Sequence, residues 1–585
     1  MTMLKDPSEK YAPFIPLSLP DRQWPNRRIL KAPQWLSTDL RDGNQSLTNP
    51  MVRDLIDFQK TEYFHMLCRM GFKNIEVSFP IASQIEESFT RSLIETPGAI
   101  PDDVRIQAMT PCRPEAMRKT VDALKGAKKA TVCTYLCTSK AFRDVMLGIT
   151  EQESLEKIVE GVEYLRSITK DDPETTTEWS MEFGMEAFSD TDPEFAVRLG
   201  EALLQAWKPT IENPIIIGLG ASVEMSTPNV FADQVEYFSR NISNRDKICI
   251  SLHPHNDRGC AVAASELGYL AGGDRIEGCL FGNGERTGNV DLVTLGLNLY
   301  TQGIHPGIDF SDLKSIMETC ESLTEIKVHP RAPYAGEMVF LAFSGAHQDA
   351  INKGMRIRKE KESETKLWKV PYLPMDPGDV GRSFEAHVIK VNSQSGKAGA
   401  AWIIRQKFGI DIPRELQVAF SKVVQAGAEE FGRQLSYQEV KDLFTSKYYL
   451  PHKTTLLCSD VEKLVETDGK ISVSLLTSIT GVEQIIEGTG INTVAAIAHG
   501  LSKNLGIEIN ATTVQGHTLQ QDSGLTAKEV SFIRCHSSDV EEEYWGVGVE
   551  SDLIQSQAVA VVTAAWNLLK ERDLPLTRGG TNSPA

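Results

Sequence analysis

The stretch Lys247-Ile248-Cys249-Ile250-Ser251-Leu252-His253-Pro254-His255-Asn256-Asp257 joins a short apolar run to a polar end, and residues 259–271 continue with helical periodicity. An apolar run of this length, bounded by polar residues, reads as a buried β-strand. His253 and His255 stand two apart on extended backbone, so their side chains leave on the same side. Aligned imidazoles suit a divalent metal, and two hydrogen-bonded histidines at a strand end are an equal alternative on this spacing alone.

Worked outward, the same unit repeats. Apolar runs stand at 34–38, 74–78, 104–109, 130–135, 179–183, 215–219 and 275–281, and amphipathic stretches at 52–70, 114–125, 151–169, 193–206 and 229–240 lie among them. Eight such units over roughly 250 residues predict an α/β fold, a (β/α)8 TIM barrel. A doubly wound open sheet is the alternative, and it wants a Gly-x-Gly-x-x-Gly turn that no strand supplies.

In a barrel the strand ends converge on one face. Arg41-Asp42-Gly43-Asn44-Gln45 follows the first strand, Glu186 the fifth, Ser222 the sixth and Gly282-Asn283-Gly284-Glu285-Arg286-Thr287-Gly288-Asn289 the eighth. This convergence favours the metal reading. Asp42, His253 and His255 would be ligands, with Asn289 adding an oxygen directly or through water. Arg41 offers a fork for a carboxylate. A 2-oxo acid fits the set, its carboxylate on Arg41 and its keto oxygen polarised by the metal. Glu186 is the candidate general base. The structural alternatives are a plain Arg41–Asp42 ion pair and a solvated loop position for Glu186.

With 585 residues the chain is too long for one core, and 41% hydrophobic and 24% charged residues are ordinary for a globular protein. A net charge of -18 argues against nucleic acid or an anionic membrane as partner. No run approaches the roughly 18 apolar residues of a membrane span. Ten cysteines without metal-finger spacing suggest reduced thiols. The start is neither a secretory signal nor Arg-rich and amphipathic, which favours the cytoplasm and leaves an organelle open. The expected domains are an N-terminal arm (1–33), the catalytic barrel (34–310), helical linker subdomains (311–445) and an α+β regulatory-like domain (446–585). In the last, strands are expected at 453–458, 470–477 and 529–535 and helices at 492–505 and 553–572. Gly488-Thr489-Gly490, ahead of a helix, is either a carboxylate site or a capped turn.

Several motifs carry a resemblance. Leu40-Arg41-Asp42-Gly43-Asn44-Gln45, His253-Pro254-His255-Asn256-Asp257-Arg258-Gly259 and the loop 282–289 closely resemble the 2-isopropylmalate synthase family, which belongs with homocitrate and citramalate synthases. Phe343-Ser344-Gly345-Ala346-His347-Gln348-Asp349-Ala350 and Val391-Asn392-Ser393-Gln394-Ser395-Gly396-Lys397 match its long fungal and actinobacterial form. The resemblance implies a homodimer whose barrel binds a divalent metal (Zn, Mn, Mg or Co), a 2-oxo acid and acetyl-CoA. It also implies that a linker from the partner chain completes the site and that a C-terminal domain binds a feedback inhibitor. By the same resemblance Asp42, His253 and His255 hold the metal, with Asn289 nearby. Arg41 positions the oxo acid, and Glu186 is the acid–base carboxylate. His347 and Tyr372 assist enolisation or thioester hydrolysis. Gly282, Asn283, Gly284 and Glu285 lie near acetyl-CoA.

The departures from the family concern the acceptor. Cys133 replaces a histidine, Gly184 a serine and Ser222 a threonine, and Met109 stands where leucine is common. Three of these swaps shrink the side chain, and methionine yields readily. The pocket is therefore expected to take a bulkier 2-oxo acid, phenylpyruvate or 4-hydroxyphenylpyruvate, giving a benzylmalate-type product. The alternative acceptor is 2-oxoisovalerate, in leucine synthesis. A non-catalytic amino-acid-binding paralogue is the alternative from another class, and the retained site residues disfavour it. Around Thr512-Thr513-Val514-Gln515-Gly516-His517 the family's leucine pocket is not evident, so weak or absent leucine inhibition is expected.

Overall fold

A computed structural model describes residues 6–11, 14–51, 56–361, 365–384, 400–401, 403–405, 408–431, 435–449, 457–465, 469–478, 483–519, 527–538 and 540–571. The motif 391–397 lies outside these, as do residues 52–55 of the first amphipathic stretch. The chain divides into two compact units, Met1–Phe340 with Met375–Ser383, and Leu341–Pro374 with Phe384–Ala585.

The first unit is a closed parallel barrel. Its strands are β1 (Gln34–Ser37), β2 (Asn74–Ser78), β3 (Arg105–Pro111), β4 (Lys129–Cys137), β5 (Glu178–Glu186), β6 (Ile215–Ala221), β7 (Ile248–Pro254) and β8 (Arg275–Gly278). They pair in chain order, and β8 closes on β1 with Trp35 opposite Ile276. Every residue of β6 is buried, as expected of a strand covered on both faces.

The helices between strands start where the chain supplies caps. Thr150 and Glu153 form a reciprocal capping box, Asp192 accepts from Phe195 N, and Pro114, Pro193 and Pro228 each open a helix. Phe195, Leu199, Leu203 and Trp207 recur on one face of the helix Pro193–Trp207, and all four are buried. The N-terminal segment is tied to the helix Pro228–Asn241. Backbone amides of Gln23 and Trp24 donate to Glu236, and the Trp24 indole donates to Asp233 Oδ1 at 2.8 Å.

The second unit contains the helices Gly345–Glu360, Arg414–Phe431 and Tyr437–Tyr448. Two copies of one motif follow, each an antiparallel three-stranded meander and then a helix. The first is β9 (Leu457–Val465), β10 (Ile471–Ser478) and β11 (Gln484–Gly490) with the helix Thr493–Leu505. The second is β12 (Asn510–Leu519), β13 (Lys528–Ser537) and β14 (Val540–Glu550) with the helix Leu553–Glu571. In both, glycines of the third strand let the following helix approach. A Cβ on Gly488 would fall 2.0 Å from Ala496 O, and one on Gly546 would fall 2.0 Å from Ala560 O. Gly488-Thr489-Gly490 is thus strand, paired with Val473, Ser472 and Ile471, and its glycines serve packing. The helix beyond is capped by Asn492, which accepts from Ala495 N. Among the described residues no helix is long and apolar enough to cross a membrane.

Candidate active site

β1 runs into a π-helical turn, Asp39–Gly43, all of it buried. Gly43 N donates to Thr38 O at 3.1 Å, the wide spacing that defines such a turn. Asp39 pins the turn in place. It accepts from Ser37 Oγ at 2.7 Å, Tyr63 Oη at 2.8 Å and Leu280 N at 3.0 Å, and burial raises its carboxyl to about 6. Arg41 and Asp42 are thereby presented to a cavity at the C-terminal end of the barrel, which His253, His255 and Glu186 also line.

Asp42, His253 and His255 converge there, with one potential ligand atom from each lying within 4.8 Å of the others. Asp42 Oδ2 is 3.3 Å from His253 Nε2 and 3.8 Å from His255 Nε2. His253 Nδ1 meets Glu277 Oε2 at 2.9 Å, which fixes the ring with Nε2 towards Asp42. Burial raises the Asp42 carboxyl, but Arg41 and His253 outweigh it and hold the group well below the carboxylate range. Burial opposes charge on His253 too, and there the bonds to Asp42 and Glu277 prevail, raising it to about 10. His255 is lowered to about 4 by burial and by its neighbour His253. Asp42 and His255 are thus in the form that binds a metal, whereas His253 would give up its proton to a cation on binding. His255 Nδ1 and Asn289 Oδ1 are buried without a hydrogen-bond partner, and Asn289 Nδ2 donates to Asp42 Oδ2 at 2.6 Å. The Asn289 amide therefore turns Nδ2, not the expected oxygen, towards Asp42 and His253, and what fits a divalent cation is the convergence of one carboxylate and two imidazoles.

Arg41 is largely committed. Its Nη1 pairs with Asp42 Oδ1 at 2.9 Å and its Nε with Glu76 Oε2 at 2.6 Å, leaving Nη2 as the remaining donor. Glu186 ends β5 and accepts from Cys137 Sγ at 2.5 Å. Met109, Cys133, Gly184 and Ser222 all line the cavity, as do Gly218 and Gly220 of β6. Ser222 Oγ accepts from Ala187 N at 2.9 Å, tying the end of β6 to β5.

The loop after β8 folds back on itself. Gly284 has φ 145°, and a Cβ there would lie 2.0 Å from Asn289 Oδ1. A Cβ on Gly288 would lie 1.8 Å from Gly282 O. These glycines exist for the loop's own closure, and through it for the placement of Asn289. Of the four residues expected near acetyl-CoA, Glu285 lines the cavity, while Gly282, Asn283 and Gly284 are not among its lining residues. Asn283 Nδ2 instead donates to Gly43 O at 3.3 Å, joining the loop to the π-turn. In the second unit His347 and Tyr372 stack with ring centroids 4.0 Å apart, and Tyr372 is exposed with φ 62°.

Sequence reasoning missed the carboxylates behind the site. Glu76 holds Arg41, Glu277 holds His253, and Glu182 accepts from Arg275 Nη2 at 2.5 Å. Burial raises Glu182, opposed by Arg275 and reinforced by Glu277. The signal was present as an acidic residue set directly between apolar or glycine neighbours in a strand, Ile75-Glu76-Val77, Met181-Glu182-Phe183 and Ile276-Glu277-Gly278.

Residues 32–320 match the family model described as HMGL-like, and residues 337–405 match the alpha-isopropylmalate synthase post-catalytic domain-like model. The 2-isopropylmalate synthase of Saccharomyces cerevisiae is 48% identical over 582 residues, covering 98% of this chain and 92% of that one. Isopropyl malate synthase htyA of Aspergillus rugulosus is 49% identical over 537 residues, covering 91% and 88%. Isopropyl malate synthase gloH of Glarea lozoyensis is 46% identical over 563 residues, covering 92% and 88%. Likeness at this level over nearly the whole chain spans both units, so the chain belongs to the 2-isopropylmalate synthase family and is an acyltransferase of that type.

Proposed function

We propose that the protein condenses acetyl-CoA with a 2-oxo acid bulkier than 2-oxoisovalerate, an aryl-pyruvate such as phenylpyruvate or 4-hydroxyphenylpyruvate, and hydrolyses the thioester to a 2-substituted malate. The observation that carries the acceptor is the bareness of one cavity wall, where Cys133, Gly184, Gly218, Gly220 and Ser222 stand together. A Cβ on Gly184 would meet only Tyr135 Cβ at 3.4 Å and Thr134 O at 3.9 Å, so packing leaves room for a side chain that the chain does not supply.

In this reading Asp42, His253 and His255 hold a divalent cation, with Asn289 beside them. The cation, one of Zn, Mn, Mg or Co, supplies polarisation of the acceptor's keto group. Arg41 Nη2 receives the acceptor's carboxylate, its other nitrogens being held by Asp42 and Glu76. Glu186 takes a proton from the acetyl methyl, and that carbon forms a bond to the keto carbon while the keto oxygen gains the proton equivalent. Water then cleaves the thioester and CoA leaves as the thiol. His347 and Tyr372 assist enolisation or hydrolysis, and Glu285 lies beside acetyl-CoA. A homodimer and residence in the cytoplasm belong to the same proposal, although the relative named 2-isopropylmalate synthase 2 of S. cerevisiae is described as mitochondrial.

A second acceptor, 2-oxoisovalerate, is favoured by 48% identity to the yeast enzyme over almost the whole chain. Thiol release by the purified protein with a panel of 2-oxo acids decides between them. The highest kcat/KM is expected with an aryl-pyruvate, and a highest value with 2-oxoisovalerate overturns the proposal.

A further inference from the structure

Glu182 has no part in the chemistry just described, yet it lines the acceptor cavity. The carboxyl is fixed, its Oε2 held by Arg275 Nη2 at 2.5 Å and the group bonded also to the neighbouring Glu277 carboxyl. Its other oxygen, Oε1, lies 2.9 Å from the point a Cβ on Gly218 would occupy. Any side chain at 218 would cover that oxygen, and glycine leaves it approachable. Gly218 pairs in register with Gly184 of β5, so two bare residues lie side by side above it. Two residues further along β6, Gly220 pairs with His253 of the metal cluster. The oxygen therefore sits about two strand residues, roughly 6–7 Å, deeper in the barrel than the ligand level. The para oxygen of a 4-hydroxybenzyl side chain stands at a comparable reach from the keto carbon.

We infer that Glu182 is a specificity residue, receiving a hydroxyl at the far end of the acceptor's side chain through the slot between Gly184 and Gly218. The enzyme would then prefer a 4-hydroxyaryl 2-oxo acid to its unsubstituted analogue. This inference rests on the bulky-acceptor reading above and narrows it. A carboxylate accepts a hydrogen bond from a phenol and a carboxyl donates one to it, so either proton state recognises the hydroxyl. An acceptor without it buries Oε1 against an aryl edge with nothing to replace lost water. A Glu182 that serves only to balance Arg275 predicts no such preference.

The test is the ratio of kcat/KM for 4-hydroxyphenylpyruvate to that for phenylpyruvate, measured on one preparation of the full-length protein with added divalent metal. Both substrates see the same folded fraction, so partial misfolding cancels. The ratio is expected to be about tenfold or more in the wild type and to fall towards one in Glu182→Leu, which has no polar atom to offer the hydroxyl. Gly218→Ala gives a second reading that keeps both partners of the Glu182–Arg275 pair, with Oε1 displaced by the new methyl. Its Cβ comes within 2.9 Å of Oε1 and 3.4 Å of Gly184 Cα, closing the slot, and the ratio should collapse there as well. If both aryl-pyruvates are used well and the wild-type ratio is within twofold of one, the Glu182 inference fails and the bulky-acceptor reading stands. It fails equally if a large ratio survives both Glu182→Leu and Gly218→Ala. If both aryl-pyruvates fall below 2-oxoisovalerate, the bulky-acceptor reading fails and takes this inference with it.

Discussion

Replacing Glu277 by Gln tests whether the histidine cluster is a metal site. Glu277 is buried, and its Oε2 meets His253 Nδ1 at 2.9 Å while Arg275 Nη2 reaches Oε1 at 2.9 Å. Glutamine has the same shape; with its amide oxygen accepting from Nδ1–H, its NH2 takes the place of Oε1, where Ser251 Oγ can turn to accept from it and Arg275 Nη2 gives up one bond. Orientation of the ring therefore survives, and the negative charge behind it is lost. Arg275 keeps Glu182 as a partner, so the barrel interior does not acquire an unpaired cation. What changes is the electron density that Glu277 pushes through the imidazole to Nε2, the atom facing Asp42. Carboxylates in this position contribute 10–100-fold to metal affinity, about 1.4–2.7 kcal/mol. The assay is calorimetric titration of chelator-stripped protein with Zn, Mn, Co and Mg, beside far-UV circular dichroism to confirm the fold. A loss of about tenfold or more, with the spectrum unchanged, is the expected result. An affinity within twofold of wild type would refute the reasoning, because a histidine that only bonds to carboxylates has no reason to transmit the change to a cation.

Gly284→Ala places a Cβ 2.0 Å from Asn289 Oδ1 on a backbone with φ 145°, so the loop must open and Asn289 must leave Asp42; a cost of at least about 2 kcal/mol in a thermal melt and weaker metal binding are expected, and an unchanged melt would show that the loop relaxes freely. Refilling the bare wall with Cys133→His and Gly184→Ser together should shift relative kcat/KM from phenylpyruvate towards 2-oxoisovalerate by about tenfold or more, and unmoved selectivity would place the determinant elsewhere. Leucine should bind weakly or not at all by calorimetry, and tight binding would contradict the reading of residues 512–517.

The barrel was legible because each strand is an apolar run between turn residues, and the second unit was harder for the opposite reason. β12 alternates weakly and is mostly exposed, β11 ends in packing glycines, and β14 opens on Val540-Glu541-Glu542-Glu543 with glycines breaking the apolar stretch 544–549. The π-turn was invisible because Asp39-Leu40-Arg41-Asp42 contains no breaker, and its shape comes from bonds to Tyr63 and Leu280 far along the chain. Strand ends hold the more useful lesson. β3, β4, β5, β6 and β7 each continue two or three residues past the point where their apolar run stops, to Pro111, Cys137, Glu186, Ala221 and Pro254. β2 does not, and β8 stops short at Gly278, where a Cβ would lie 2.5 Å from Val290 O and force the crossing chain away. The five strands that outrun their apolar pattern carry Met109, Cys133, Gly184, Glu186, Gly220 and His253, all cavity residues. Glycine, proline and polar residues at those ends blur the strand pattern because the cavity, rather than the core, chooses the side chain there. The same substitution of purpose explains the carboxylates. Glu76, Glu182 and Glu277 interrupt apolar strands at a cost in desolvation, and Arg41, Arg275 and His253 compensate that cost through direct bonds. A buried acid in a barrel strand is therefore a pointer to whichever cation stands beside it, and here two of the three beside them, Arg41 and His253, face the cavity.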